Sequence, residues 1–247
     1  MTKKLLLASL LLNLVFIAGF FFLIRKLGGA NYVWFKMRHQ GVAGVYEHRK
    51  NMYDLLPIRS SDVVFVGNSI TEQGNWAELL GRQDVRNRGI AGDVTQGLLD
   101  RLPVILEGHP RQIFLMIGIN DLIAHDPSYV IDNYREIVRR ILQKSPETRL
   151  VLQSILPVNN EVRISGLSNE DVRQINQAIE TLASEVGADY VDVHSLLQDE
   201  KGQLAARFTQ DGIHINGEAY LIWKNAVSNY IVPALPPETE PVNRPEE

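Results

Sequence analysis

Between residues 62 and 231 the chain alternates two patterns. Short, β-branched apolar runs are separated by longer stretches whose apolar positions recur every three or four residues. The runs are DVVFVG (62–67), VRNRG (85–89), QIFLMIG (112–118), RLVLQSI (149–155) and ADYVDV (188–193). Near-continuous apolar runs of this length suit strands buried on both faces. In PSYVIDNYREIVRRILQKSP, Val130, Ile131, Tyr134, Ile137, Val138, Ile141 and Leu142 fall at helical spacing. NEDVRQINQAIETLASEVG repeats the pattern with Val172, Ile175, Ile179, Leu182 and Val186, and Gly187 supplies a C-cap. NGEAYLIWKNAVSNYI closes the region as a further helix. Strand–helix alternation predicts an α/β domain with a five-stranded parallel sheet and helices on both faces, over residues 61–233.

The two ends break this pattern. Residues 1–26 open with Lys3 and Lys4, run apolar from Leu5 to Ile24, and end on Arg25-Lys26. An apolar run of about 20 residues is long enough to cross a bilayer as a helix. It also lacks the short core and small-x-small site of a cleaved signal peptide. The expectation is an uncleaved transmembrane signal anchor, with a cleaved signal peptide as the alternative. Positive charge lies on both sides of the run, so charge counting does not orient it. Its likeness to an export signal favours an extracytoplasmic domain, periplasmic or extracellular. Residues 27–60 read as a juxtamembrane linker, in which VYEHRKNMYDLL forms a helix packing on the domain. Residues 234–247 are rich in proline and glutamate and cannot bury much apolar surface, which predicts a disordered tail.

Composition narrows the chemistry. The chain has 247 residues, a formal net charge of −4 and no cysteine. Disulfides, thiolate metal sites and a cysteine nucleophile are thereby excluded. No basic stripe marks a nucleic-acid surface.

In a parallel α/β sheet, ligands bind beyond the carboxyl ends of the strands. Gly67-Asn68-Ser69 follows the first strand, and RGIAGDVTQG, with Gly92, the second. Gly118-Ile119-Asn120-Asp121 follows the third, and Asp211 and His214 come after the fifth. Each has an ordinary explanation. Ser69-Ile70-Thr71-Glu72 matches a helix capping box, Asn120-Asp121 can cap a helix, and Asp211-Gly212 is a turn dipeptide. Together they supply a serine esterase. Ser69 would be the nucleophile, His214 the general base and acid, and Asp211 the group that orients the imidazole. The N–H groups of Ser69 and Gly92 and the amide of Asn120 would form the oxyanion hole. Asn68, Asn159, Asn160 and Arg163 are candidates to line the substrate pocket. His194, at a strand end, reads as a packed or hydrogen-bonded histidine.

These four blocks, in this order and spacing over residues 62 to about 232, resemble the SGNH (GDSL-type) hydrolase family. The segments NRGIAGDVTQGLLDRL, LMIGIND and LQSILPVN are most similar to its platelet-activating-factor acetylhydrolase-like branch. The resemblance implies a flavodoxin-like three-layer α/β/α sandwich, a Ser/His/Asp triad, a three-donor oxyanion hole, and no metal or organic cofactor. It also implies hydrolysis of short O-acyl esters, often acetyl, on a glycan, lipid or small molecule. Alternatives are a lysophospholipase or thioesterase acting on longer chains, and a non-catalytic carbohydrate- or lipid-binding protein on the same fold. One departure stands in the first block, where Asn68 replaces the family's usual aspartate.

Overall fold

The computed structural model describes residues 40–234 throughout. Of the segment before them it describes residues 9–10, 12–14, 16–17 and 19–22, which are helical. Helix α1 is Gln40–Leu55 and strand β1 is Val63–Gly67. Two short helices follow, α2 (Ser69–Glu72) and α3 (Trp76–Leu80), then β2 (Val85–Gly89) and α4 (Thr95–Glu107). Next come β3 (Gln112–Met116), a 3₁₀ turn (Asp121–Ile123), α5 (Pro127–Lys144), β4 (Arg149–Gln153) and α6 (Asn169–Val186). The domain ends with β5 (Asp189–Val191), α7 (His194–Leu197), a second 3₁₀ turn (Ala206–Phe208) and α8 (Gly217–Ser228).

The five strands pair in parallel in the order β2-β1-β3-β4-β5. Every position of β1 and β3 is buried, so both faces of the sheet are covered. On one face Phe65 stacks on Trp76 of α3 with ring centroids 4.1 Å apart, and Trp76 meets Trp223 of α8 edge-on at 4.6 Å. Both indoles find acceptors: Trp76 donates to Thr71 O (2.9 Å) and Trp223 to Gln153 Oε1 (2.7 Å). A buried aromatic cluster therefore leaves no indole N–H unpaired. Helices α4, α5 and α6 pack side by side on the other face. The order puts β1 and β3 at the sheet centre, and the reversal of winding between β1 and β3 is where such a sheet opens a ligand crevice.

Strands β3, β4 and β5 each stop two residues before the end of their apolar runs, where loops take over, while β2 matches its run. β3 stops at Met116, and Gly118 adopts φ +127°, a conformation that turns the chain out of the sheet. Helix α4 was not expected from periodicity, since Gly97 and Pro103 interrupt its sequence. Its Leu98, Leu99, Leu102, Ile105 and Leu106 are nonetheless buried. Pro103 has no N–H to offer the carbonyl of Leu99. Arg140 of α5 supplies a donor to that oxygen instead, at 3.3 Å. Tertiary packing here overrides a local helix breaker.

Among the described residues no helix is long and apolar enough to cross a membrane. The expected span from Leu5 to Ile24 lies only in part within the described residues, and the expected tail over 234–247 lies outside them but for residue 234.

Candidate active site

Strand β1 delivers the chain to its carboxyl end at Gly67, and Asn68 caps the short helix that follows. Asn68 is extended (φ −99°), and its Oδ1 accepts from the N–H of Ile70 at 3.0 Å. The capping-box expectation is thus corrected: the cap is Asn68, and Ser69 is the first helical residue. The hydroxyl of Ser69 is free for another partner, and it lies 3.0 Å from His214 Nε2. Asn68 is 1 % exposed and spends its side-chain oxygen on this turn, so it shapes the nucleophile turn rather than lining a pocket.

His214 and Asp211 occupy one tight loop. Asp211 Oδ2 is 2.7 Å from His214 Nδ1, and Asp211 Oδ1 accepts from the backbone N–H of Ile213 (3.0 Å) and His214 (2.8 Å). Burial works to raise the Asp211 carboxyl pKa. The bonds from the His214 ring and from these two backbone N–H groups outweigh it and hold the pKa below the ordinary carboxylate value. An ionised Asp211 accepting from Nδ1–H leaves Nε2 as the acceptor facing Ser69. Gly212 takes φ +81° between them, and a Cβ there would lie 2.4 Å from Asn159 O. The contact seats the Asp211–His214 loop on the loop after β4.

The second half of the site is the loop after β2. Gly92 adopts φ +78°, left-handed backbone that glycine accepts without strain. Ile90 N–H bonds Gly67 O at 3.1 Å, which lays this loop beside the nucleophile turn. Among the described residues, the N–H groups of Ser69 and Gly92 make no hydrogen bond. The amide of Asn120 donates to Asp93 O at 2.8 Å, which ties it to the Gly92 loop and leaves its second N–H free. Three donors without intramolecular partners therefore belong to segments bound to one another next to Ser69.

Several residues that hold this half were invisible as site residues in sequence. Asp93 is buried and pairs with Arg101 at 2.8 Å, and Arg101 also donates to Gly67 O at 3.1 Å. The pair thereby bridges the Gly92 loop and the turn that carries Ser69. Burial raises the pKa of Asp93 while Arg101 opposes it. Asp121, adjacent to Asn120, accepts from the N–H of Thr95 at 3.1 Å and from its hydroxyl. Burial pushes its carboxyl up to about 6, against the lowering effect of Thr95. Sequence does not mark these contacts, because Arg101 lies 8 residues from Asp93 and Thr95 lies 26 from Asp121.

The pocket candidates on the loop after β4 separate. Asn159 is 2 % exposed, its amide donates to Leu204 O, and its oxygen accepts from the N–H of Glu161 and Val162. Asn160 is likewise spent on Leu167 O, Ser165 and the N–H of Ser165. In each, the amide oxygen and one N–H are spent on the loop and its neighbours, bonds that fold the loop. Arg163 is exposed on that loop, next to the exposed Ile164. His194 is buried, with Nδ1 3.0 Å from Ile155 O, and burial lowers its pKa. Among the described residues, no three His, Cys, Asp or Glu side chains are grouped as a metal ion requires.

Comparison with known proteins bears on the family and the fold. Residues 65–222 match the model of the GDSL-like lipase/acylhydrolase family. The chain is 25 % identical over 194 residues to human platelet-activating factor acetylhydrolase IB subunit alpha1, covering 76 % of this chain and 78 % of that one. It is 22 % identical over 200 residues to N-acylneuraminate cytidylyltransferase of Escherichia coli O18:K1:H7, covering 78 % of this chain but only 45 % of that longer protein. Among solved structures, a Streptococcus pneumonia chain described as a platelet activating factor superposes with a TM-score of 0.73 at 29 % identity. The superposition covers 81 % of this chain and 99 % of that one. By the family match over most of its folded domain, this chain belongs to the GDSL-like lipase/acylhydrolase family, a family of ester hydrolases.

Proposed function

We propose that the chain is a serine esterase that removes short O-acyl groups, acetyl foremost, from a carbohydrate or lipid alcohol. The observation that carries this reading is the continuous chain Ser69 Oγ – His214 Nε2 – His214 Nδ1 – Asp211 Oδ2, with contacts of 3.0 and 2.7 Å at its two links. Ser69 Oγ attacks the ester carbonyl carbon while its proton passes to His214 Nε2. Asp211 keeps the imidazole in the tautomer that can accept it and stabilises the cation that forms. The N–H groups of Ser69 and Gly92 and the amide of Asn120 bind the tetrahedral oxyanion. Collapse breaks the bond to the alcohol oxygen, which takes the proton from His214 as it leaves. Water then adds to the acyl-serine, giving its proton to His214, and the acid departs as Ser69 recovers its hydrogen. The acetylhydrolase named among the relatives supports a short acyl group.

The same reading places the domain outside the cytoplasm, anchored by the apolar segment at the N-terminus. Alkaline carbonate extraction of membranes checks this: an anchored chain stays with the bilayer, and release into the supernatant overturns the anchor.

A fluorophosphonate probe tests the chemistry. The wild-type protein should become labelled, and Ser69→Ala, folded by circular dichroism, should not. Hydrolysis of p-nitrophenyl esters should fall as the acyl chain lengthens beyond a few carbons. A folded wild-type protein that neither reacts with the probe nor turns over any ester would exclude the esterase in favour of a binding protein on the same fold.

A further inference from the structure

Helix α1 lies outside the segment that matches the family, yet its contacts with the domain bear on the oxyanion loop. Tyr46 OH donates to Asp93 Oδ1 at 3.2 Å. Arg49 Nε donates to Glu72 Oε1 at 2.6 Å, and the other oxygen of Glu72 accepts the N–H of Ala91 at 2.7 Å. Tyr53 OH donates to Gly89 O at 3.1 Å, and the guanidinium of Arg88 sits 4.7 Å from the Tyr53 ring centroid. Tyr46, Arg49 and Tyr53 share one helical face, at i, i+3 and i+7. Tyr53 and Tyr46 reach residues 89 and 93 directly and Arg49 reaches Ala91 through Glu72, so the three bracket Gly92. The helix makes little use of apolar burial: Val45, Met52 and Leu55 are 52, 51 and 71 % exposed. An amphipathic helix that merely completed a core would turn those side chains inward.

The geometry points to α1 as a clamp that positions the Gly92 N–H for the oxyanion, with Glu72 and Tyr46 as its positioning residues. This inference rests on the esterase reading for its kinetic consequence. Gly92 is left-handed and its loop is otherwise held near Ser69 by Asp93–Arg101 and by Ile90 N–H. Glu72 is the hinge of the clamp. It sits at the end of the nucleophile helix, and one carboxylate joins that helix, the oxyanion loop and α1. The clamp couples the segment that follows the N-terminal apolar run to the donor that meets developing charge in the transition state. Interactions realised there change kcat more than KM.

The test uses the full chain. Glu72→Ala should lower kcat on p-nitrophenyl acetate roughly 10- to 100-fold, the range expected when a catalytic donor is displaced by about 1 Å, with KM within about twofold of wild type. Glu72→Gln keeps an acceptor for Ala91 N–H and should recover most of kcat, whereas Glu72→Leu, which keeps the bulk without the acceptor, should not. Tyr46→Phe and Arg49→Gln remove only the α1 side and should give smaller kcat losses in the same direction. Amide hydrogen exchange over residues 88–94 should quicken in Glu72→Ala and Tyr46→Phe while that of β3 stays at the wild-type rate. If Glu72→Ala does not fold, Tyr46→Phe with Arg49→Gln carries the test alone. Wild-type kcat and wild-type exchange in the double variant overturn the clamp. An inert wild-type protein would overturn the esterase reading instead, and the exchange measurement would still decide whether α1 holds the loop.

Discussion

The two halves of the site are built in opposite ways. The acid–base half is local. Asp211 and His214 are three residues apart, one carboxylate oxygen satisfies two backbone N–H groups of the turn, and the other holds the imidazole. The oxyanion half is assembled from distant pieces. Gly92 comes after β2, Asn120 after β3, and a buried Asp93–Arg101 pair with Glu72 and α1 binds them to the nucleophile turn. A local motif survives any change that leaves its own turn intact. An assembled one depends on groups that have no role in the chemistry and lie on other elements. The same enzyme should therefore respond to mutation in two distinguishable ways.

The largest effect should come from the local half. His214→Ala is expected to cut kcat by roughly a millionfold, as when one member of a serine triad is removed, with thermal stability near wild type. Measured turnover of the purified, folded variant checks this. A loss of less than a hundredfold would break the comparison at its base.

In the assembled half, Arg101→Met should act first on stability. It leaves the buried Asp93 carboxylate without its partner, which costs about 3–5 kcal/mol in comparable buried pairs. Denaturant unfolding measures it, and replacing both Asp93 and Arg101 with apolar residues should recover part of the loss. Asn120→Ala should leave the midpoint of unfolding nearly unchanged while lowering kcat by about 100- to 1,000-fold, the usual effect of deleting one oxyanion donor. If it altered KM alone, Asn120 would be a ground-state contact rather than an oxyanion donor.

The smallest effect concerns Asp121. Its folded pKa of about 6 lies above the ordinary 3.8, so the native state binds this proton more tightly than the unfolded chain does. The sign follows: its contribution favours the fold below about pH 4 and is lost as pH rises through 6. The full swing is about 3 kcal/mol at 1.36 kcal/mol per pKa unit. Asp121→Asn should flatten the dependence of unfolding free energy on pH between 4 and 7. An unchanged slope would show that Thr95 stabilises the charged form enough to cancel burial.

How much could be read beforehand follows the same division. The strands from 62–67 to 188–193 and the three later helices were legible because their apolar spacing is a local property of the chain. Ser69, His214 and Asp211 could be singled out as candidates because Ser69 follows β1 directly and Asp211 and His214 share one short turn, although that turn lies well beyond β5. Helix α4 was not legible, since Pro103 breaks the local rule and its repair, Arg140, lies on another helix. For Asn159 and Asn160 the sequence leaves pocket lining and plain loop polarity equally open, because polar loop side chains look alike until their hydrogen bonds are seen.

What the amino-acid order determined alone is the succession of buried strands and amphipathic helices, and the residue types waiting at the ends of the strands. Periodicity and short turn motifs act over a few residues, so they are written in the chain itself. Only the tertiary structure decided that Asn68 rather than Ser69 caps the nucleophile helix, that Asp93 and Arg101 meet, and that Glu72 answers Arg49 and Ala91. Those pairings join elements whose meeting depends on strand order and on which helix face turns inward. Burial then makes each of them consequential, because a charge or N–H removed from water is stable only where the fold brings it a partner.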